Sequence, residues 1–363
     1  MGLSGRIPAR LDEATKVAVI DLVEHAETAG WSTAETRRYL ELSRRRLQRW
    51  RHRQSAGRSL ADRVPGGNPI HGITPAEEDE IVAVFHEWST TDRSHRKLAH
   101  RGSWLDRFWV DPSTVRRVLA RRDLVFHPPK RTTRSKKRPL PEWVEMAPNR
   151  IWIWIYDTTH WTALDAATTA IHDVVSKKWL GDITFHDETS TQVQAVFTRA
   201  LRDEGLLERI EELAASGEKM SLDPDDDRLP VLLVMSDNGA QMTSGSTREF
   251  MALAWLATHY GRPGTPTDQA QIESFFGHLK GENPHLDTID DIVIMRAELD
   301  AIRHRWNTVR LHQGIGYVTP DQEHRGEGEQ VRQQRRDGLA RARNRRIAYH
   351  RNNHPNPGPS HAD

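Results

Sequence analysis

The 363-residue chain has no cysteine, which excludes disulfides and every thiolate metal site. Long apolar runs are missing as well. The longest, IWIWIY at 151–156 and VLLVM at 231–235, fall far short of the about 20 residues that a membrane-spanning helix needs. The opening MGLSGRIPARLDEATK holds no apolar stretch, so no secretory leader is expected. These absences together support a soluble, cytoplasmic protein with no membrane contact.

A net charge of +1 conceals a segregation of charge along the chain. Residues 1–150 carry 29 Lys/Arg against 19 Asp/Glu, residues 151–330 carry 15 against 30, and residues 331–363 carry 8 against 2. Basic ends around an acidic middle suit a chain whose ends hold a polyanion. Solvated helix faces would give the same counts, so charge alone leaves both readings open.

Residues 1–54 read as a small helical domain. Val17, Val19, Ile20, Leu22 and Val23 mark a first helix, and Gly30-Trp31-Ser32 breaks it. Ser32 with Glu35 forms a capping-box pattern for a second helix. RRRLQRWRHR follows, with Leu47 and Trp50 inward and Arg44, Arg45, Arg46, Arg49 and Arg51 outward. A basic last helix of this kind can enter a DNA major groove as a helix-turn-helix; a three-helix bundle with a basic surface is the alternative. Residues 55–72 form a Gly/Pro-rich linker. Residues 73–127 read as a second helix-turn-helix-like unit, opened by Thr74-Pro75-Ala76-Glu77 and ending in a basic helix with Arg116 and Arg117. Residues 128–147 form a basic, Pro-rich connector in which Lys136 and Lys137 would lie near phosphates.

From 148 to 325 the pattern turns to strand and helix. IWIWIYDTTHW predicts a strand ending near Asp157, and residues 170–186 predict two more strands joined around Ser176-Lys177. Residues 189–214 have helical periodicity, and the apolar LPVLLVMSD predicts a strand buried on both faces that ends at Asp237. Helices are predicted over 246–259, 268–282 and 289–306, with Asp268 and Gln271 capping the second of them. The fold class is α/β, a sheet with helices on both faces, preceded by all-α domains. An Arg-rich tail, 326–363, closes the chain.

Three acids stand out. Asp157 and Asp237 end strands, and Glu273 lies on a helix whose buried stripe is Ile272, Phe275, Phe276 and Leu279. Lys280 is two turns from Glu273 on the same face. Clustered carboxylates repel, by up to about 4 kcal/mol for a pair about 4 Å apart at intermediate dielectric. Two divalent cations would remove that penalty and suit phosphoryl displacement. Taken singly, each acid could equally be a turn former or a solvated residue.

The set resembles the integrase core of insertion-sequence transposases, within the retroviral-integrase superfamily and its ribonuclease-H-like fold. The resemblance rests on DTTHW around Asp157, SDNGAQ around Asp237, GRPGTPTDQAQIESFFGHLKGE around Glu273, and the closing WNTVRLHQGIGYVTPDQ with Asn307, Arg310, His312 and Pro320. Asp237 and Glu273 are separated by the family's 35 residues, while 79 separate Asp157 from Asp237, longer than usual. Trp306 stands where Tyr is common and Gln269 where Asn is common.

The resemblance implies a DDE-type transposase that cuts transposon ends and joins the freed 3′-OH to target DNA. Asp157, Asp237 and Glu273 would be catalytic and hold two Mg2+ ions, with Mn2+ able to substitute. Lys280, Arg310 and the basic residues named above would contact double-stranded DNA, and the protein would act as a homo-oligomer on it. A silent DNA-binding regulator and a nuclease that only hydrolyses remain the alternatives.

Overall fold

The computed structural model describes residues 7–8, 11–62, 69–126, 140–156, 160–186, 189–236, 244–260 and 266–353, with the backbone alone for 155–156 and 266–273. The chain divides into two compact units, Met1–Gly72 and Ile73–Asp363. The connector Lys136 and Lys137, along with Asp157 and Asp237, lies outside the described residues.

The smaller unit has three helices: α1 (Glu13–Thr28), α2 (Thr33–Tyr39) and α3 (Arg44–Ser55). Ser32 and Glu35 form the reciprocal capping box that starts α2. Val19, Ile20, Val23, Leu40, Leu42, Leu47 and Trp50 make one buried cluster. Lys16 is buried with them, and its ammonium is satisfied by the Leu60 carbonyl at 2.8 Å and by Asp62 at 2.6 Å.

The larger unit opens with α4 (Pro75–Trp88), α5 (His95–Trp104) and α6 (Pro112–Arg121). Thr74 and Glu77 cap α4 in a second capping box, with Pro75 in its first turn. Between α4 and α5 sits a wholly buried ion pair. Arg101 Nε donates to Asp92 at 2.7 Å, its guanidinium lies against Trp88 and Trp104, and its Nη2 donates to the Val309 carbonyl at 2.9 Å.

A five-stranded sheet follows, in the order β3-β2-β1-β4-β5. Strands β1 (Ile151–Tyr156), β2 (Ala167–Asp173) and β3 (Trp179–Phe185) form an antiparallel meander. Strands β4 (Leu232–Ser236) and β5 (Leu256–Tyr260) run parallel to β1. Its order and strand directions are those of a ribonuclease-H-like core. Alternation along β1 fills two cores. Trp152 and Trp154 pack under α7 (Ser190–Asp203), α8 (Leu207–Ala215) and α9 (Gly245–Leu253), alongside Val196, Phe197, Ile210 and Met251. Ile153 packs on the other face under α10 (Pro266–Glu282) and α11 (Ile292–Thr308), alongside Phe276, Leu279, Met295 and Leu299.

Two local expectations are corrected. The helix read over 246–259 stops at Leu253, and Leu256–Tyr260 is a strand. Trp255 adopts a left-handed conformation, φ 54°, so the break carries none of the Gly or Pro punctuation that usually announces one. Helix α10 begins at Pro266, so Asp268 lies inside it and does not cap it.

The chain ends in the short α12 (Pro320–His324) and the 26-residue α13 (Gly328–Asn353). Helix α13 is tied to both α4 and the core. Arg346 pairs with Glu77 at 2.8 Å, and Arg335 donates to the carbonyls of Gly316 and Tyr317. Gly338 packs so closely on Trp109 that a Cβ there would sit 2.1 Å from the ring.

Removing one partner of a buried ion pair strands the other charge without water. Arg101→Met is therefore expected to destabilise the larger unit by roughly 3–5 kcal/mol, read from urea denaturation. Arg325→Met, which breaks a more exposed pair with Glu327, is expected to cost less than about 1 kcal/mol. Equal small losses in both variants would show that the Asp92–Arg101 pair does not hold the helices.

Candidate active site

Strands β1 and β4 are neighbours and run parallel, with Ile151, Trp152 and Ile153 opposite Leu233, Val234 and Met235. Both therefore end at the same edge of the sheet. The chain leaves β1 at Tyr156 and β4 at Ser236, one residue before Asp157 and Asp237 respectively. Open α/β sheets bind ligands at the carboxyl ends of their strands, and both acids follow such ends.

Helix α10 carries Glu273 in its backbone; the Glu273 side chain lies outside the described residues. The helix is anchored by what comes just after Glu273. Phe275 sits edge-on to Trp179 at 4.9 Å and to Trp306 at 5.2 Å, and Phe276 and Leu279 share the cluster of Ile153. Lys280 Nζ lies over the Trp161 ring, 4.4 Å from its centre, and donates to the His160 carbonyl at 3.2 Å. Glu273 and Lys280, seven apart, share a helical face. That face is thus joined to the segment three residues beyond Asp157.

The closing motif fixes the far end of α10. Asn307 clamps the Trp179 backbone, accepting from its N–H and donating to its carbonyl, both at 2.9 Å. Arg310, buried against Trp306, binds the Glu282 carboxylate through two nitrogens at 2.7 and 3.1 Å. Burial alone would raise the Glu282 carboxyl, but Arg310 and nearby Lys97 more than reverse this and hold it below the ordinary carboxylate range. The His312 ring accepts from the Gly314 N–H at 3.1 Å and is pushed down to about 3 by burial, then by Arg310 and Lys177. The motif thus supports the helix, with the Arg310 charge taken by Glu282. Sequence reading missed Glu282 and Arg101, because their partners lie far away along the chain.

The basic residues divide. Arg44, Arg45, Arg49, Arg116 and Arg117 are exposed. Arg46 donates to the carbonyls of Ile7 and Pro8 and lies over Trp50, and Arg51 pairs with Glu27 at 3.0 Å. In the tail, Arg332, Arg335 and Arg346 are engaged within the protein, while Arg341, Arg343, Arg345 and Arg351 are exposed.

Against this geometry, residues 256–320 match the family model described as "Integrase core domain". That stretch is similar to an integrase core. The chain is 28% identical over 158 residues to the transposase for insertion sequence element IS904 of Lactococcus lactis subsp. lactis (strain IL1403), covering 40% of this chain and 60% of that relative. The chain thus spans less than two thirds of that relative's length. Structures similar to it include the simian T-cell lymphotropic virus intasome in complex with PP2A regulatory subunit B56 gamma, at 16% identity and TM-score 0.39, covering 62% of this chain and 73% of that one. The HTLV-2 integrase catalytic core domain in complex with magnesium (dimeric form) is 17% identical with TM-score 0.34, covering 49% of this chain and 97% of that one. The family match covers β5, α10, α11 and the closing motif, so the elements that carry and support Glu273 all fall within the matched residues.

Two partly buried histidines give the larger unit a pH signature. His100, stacked on Tyr317 at 4.3 Å, is pushed down to about 4 by burial and then by Arg335; His312 behaves alike. Above pH 6.5 both are neutral in folded and unfolded chains, and stability is complete. Below it, the unfolded chain takes up protons that the folded chain refuses, so stability falls as pH drops toward 4 and 3. Urea midpoints at pH 7.5, 6 and 5 should fall in that order, and less steeply in His100→Phe, which keeps the stack. Identical slopes in both proteins would exclude His100 as a contributor.

Proposed function

We propose that the chain is a DDE-type DNA transposase, cutting the ends of a mobile element and transferring the freed 3′-OH to target DNA. The observation that carries this is the parallel pairing of β1 with β4, with α10 joined to the segment after β1 through Lys280 and Trp161. Asp157, Asp237 and Glu273 are proposed as the catalytic carboxylates. Their donor set is all oxygen and all anionic, which fits hard divalent cations, Mg2+ by preference and Mn2+ in its place. Two such ions, when bound, supply charge for the attacking and leaving oxygens.

The protein's part is positioning. In the first step water attacks a phosphodiester; a P–O bond forms, the P–O3′ bond breaks, and the leaving 3′ oxygen takes a proton. In the second step the 3′-OH attacks a target phosphodiester, making one P–O bond and breaking another, so that no external energy source is required. Lys280 is proposed to hold a DNA phosphate beside the reacting one. The α1–α3 unit, through Arg44, Arg45 and Arg49, and the α4–α6 unit, through Arg116 and Arg117, are proposed to hold the ends, with the exposed arginines of α13 adding phosphate contacts. Joining two ends calls for at least two copies of the chain, acting in the cytoplasm at the nucleoid. Among the described residues no helix is long and apolar enough to cross a membrane.

The test uses duplexes ending in the element's terminal sequence, with Mg2+. Asp157→Asn, Asp237→Asn and Glu273→Gln are each expected to lower nicking at least roughly a thousandfold, about 4 kcal/mol of barrier, while DNA binding persists. Equal nicking by parent and variants would end the catalytic assignment. Joined product from a pre-cut 3′-OH end is expected; nicking without joining by assembled protein would point to a nuclease, and neither reaction to a regulator.

A further inference from the structure

The arginines of helices α4–α6 fall into two groups. Those facing α4 are paired: Arg107 with Glu80 and Glu87, Arg121 with Glu78, and Arg122 with Glu78 and Asp79. Others are not. Arg96 and Lys97, in the first turn of α5, and Arg116, on α6, have no side-chain hydrogen bond or ion pair among the described residues. The His95 ring is held below its ordinary value by burial and then by the charges of Arg96 and Arg116.

The acids near this cluster are already committed. Asp92 is held by Arg101, Glu282 by Arg310, and Asp111 accepts from the Ser113 N–H as the cap of α6. No acid stands in the first turn of α5 or α6. Arg96 and Lys97 repel the positive end of α5 and weaken it. Such an arrangement is unfavourable in the free protein and becomes favourable when an anion arrives.

The positive charge continues from this cluster to α10. Arg93 donates to the Gly281 carbonyl at 3.3 Å. Lys97 feels both Arg310 and Glu282, and His278 feels Arg93 and Lys97. Lys280 stands next along α10, over Trp161. Since Arg93 just before α5 reaches the Gly281 carbonyl, and His100 and Arg101 reach Tyr317 and the Val309 carbonyl, α5 is docked along its length rather than tethered.

We propose that Arg116, Arg96, Lys97, Arg93 and Lys280 form one phosphate track, along which the backbone of a single DNA duplex runs from α6 to α10, the helix of Glu273. This rests on the reading of the chain as a DNA transposase, and adds that the duplex gripped by α4–α6 is the same one delivered to the carboxylates of that copy. His95, neutral near pH 7, contributes a hydrogen-bond donor in place of a charge. The track excludes Arg107, Arg121 and Arg122, which sequence alone would group with Arg116.

The test is binding of a labelled random-sequence duplex by the full-length Asp157→Asn chain in chelator, followed by fluorescence anisotropy across monovalent salt. The slope of log K against log salt loses about 0.9 for each phosphate contact removed. R96Q/R116Q is expected to lower it by about 1.8, and adding K280Q by about 0.9 more. R121Q/R122Q removes equal charge from the paired group and is expected to leave the slope unchanged. All these side chains are at least partly exposed, and an unaltered melting temperature confirms that each variant is folded.

An unchanged slope in R96Q/R116Q, or an equal loss in R121Q/R122Q, overturns the track, as does a chain that binds no duplex. Loss without further loss on adding K280Q overturns its extension to α10. Because no cutting is required, the two readings separate. A protein that shows these slopes but never nicks DNA keeps the track and loses the catalytic assignment; one that nicks with unchanged slopes does the reverse.

Discussion

The parallel pairing of β1 with β4 is the constraint on which the rest of the molecule depends. Two parallel neighbours end at one edge of a sheet, so the chain leaves both at that edge whatever it does in between. Here the interval holds β2, β3, α7, α8 and an acidic loop. Loop closure costs grow only slowly with length, so a long interval between Asp157 and Asp237 is compatible with the same strand ends. Burial on both faces makes the pairing hard to shift. A slip of one residue would exchange Trp152 and Trp154 with Ile153, sending large indoles into the core built around α10 and α11.

Helix α10 needs outside help to hold its place. It contains Gly277 and Gly281, and nothing lies within 4 Å of where a Cβ would be at either. A helix-interior glycine costs about 1 kcal/mol relative to alanine, so packing must supply what propensity withholds. The Phe275–Trp179–Trp306 edge contacts supply it in the middle, and the Glu282–Arg310 pair supplies it at the end. Arg310 is held in turn by a segment that Asn307 fastens to the edge of β3. A motif that reads as functional in sequence is therefore a brace for the helix that bears Glu273.

Much of this was legible because the signals were local. Ser32 with Glu35 and Thr74 with Glu77 announce helix starts, and both capping boxes form. The alternation IWIWIY announces β1, and the run VLLVMS announces a strand buried on both sides. Legibility failed where the determining partner is remote. Leu256–Tyr260 is a strand only because β4 lies beside it, and the helix before it ends on a left-handed tryptophan. Arg310 and Arg116 are indistinguishable as letters, yet one is buried on Glu282 and the other is exposed. The three carboxylates were read through spacing and resemblance, and the strands before two of them through apolar pattern, while the parallel pairing of those strands became visible only in the sheet register.

Charge explains why the acidic middle of the chain needs close basic neighbours. Under the proposed function, a polyanion approaching the three carboxylates would be repelled, and cations at the same place would reverse the sign. Divalent ions would do so at the centre. Around it, the α4–α6 unit is held against the core from two sides, by α5 on the closing motif and by Arg346 of α13 on Glu77. Under the proposed function, a basic element held this rigidly would give up no linker entropy in bringing DNA to the strand ends, and would fix the distance between grip and chemistry. The buried Asp92–Arg101 pair is what keeps that distance constant, since it joins α4 to α5 and α5 to Val309 in a single cluster of contacts.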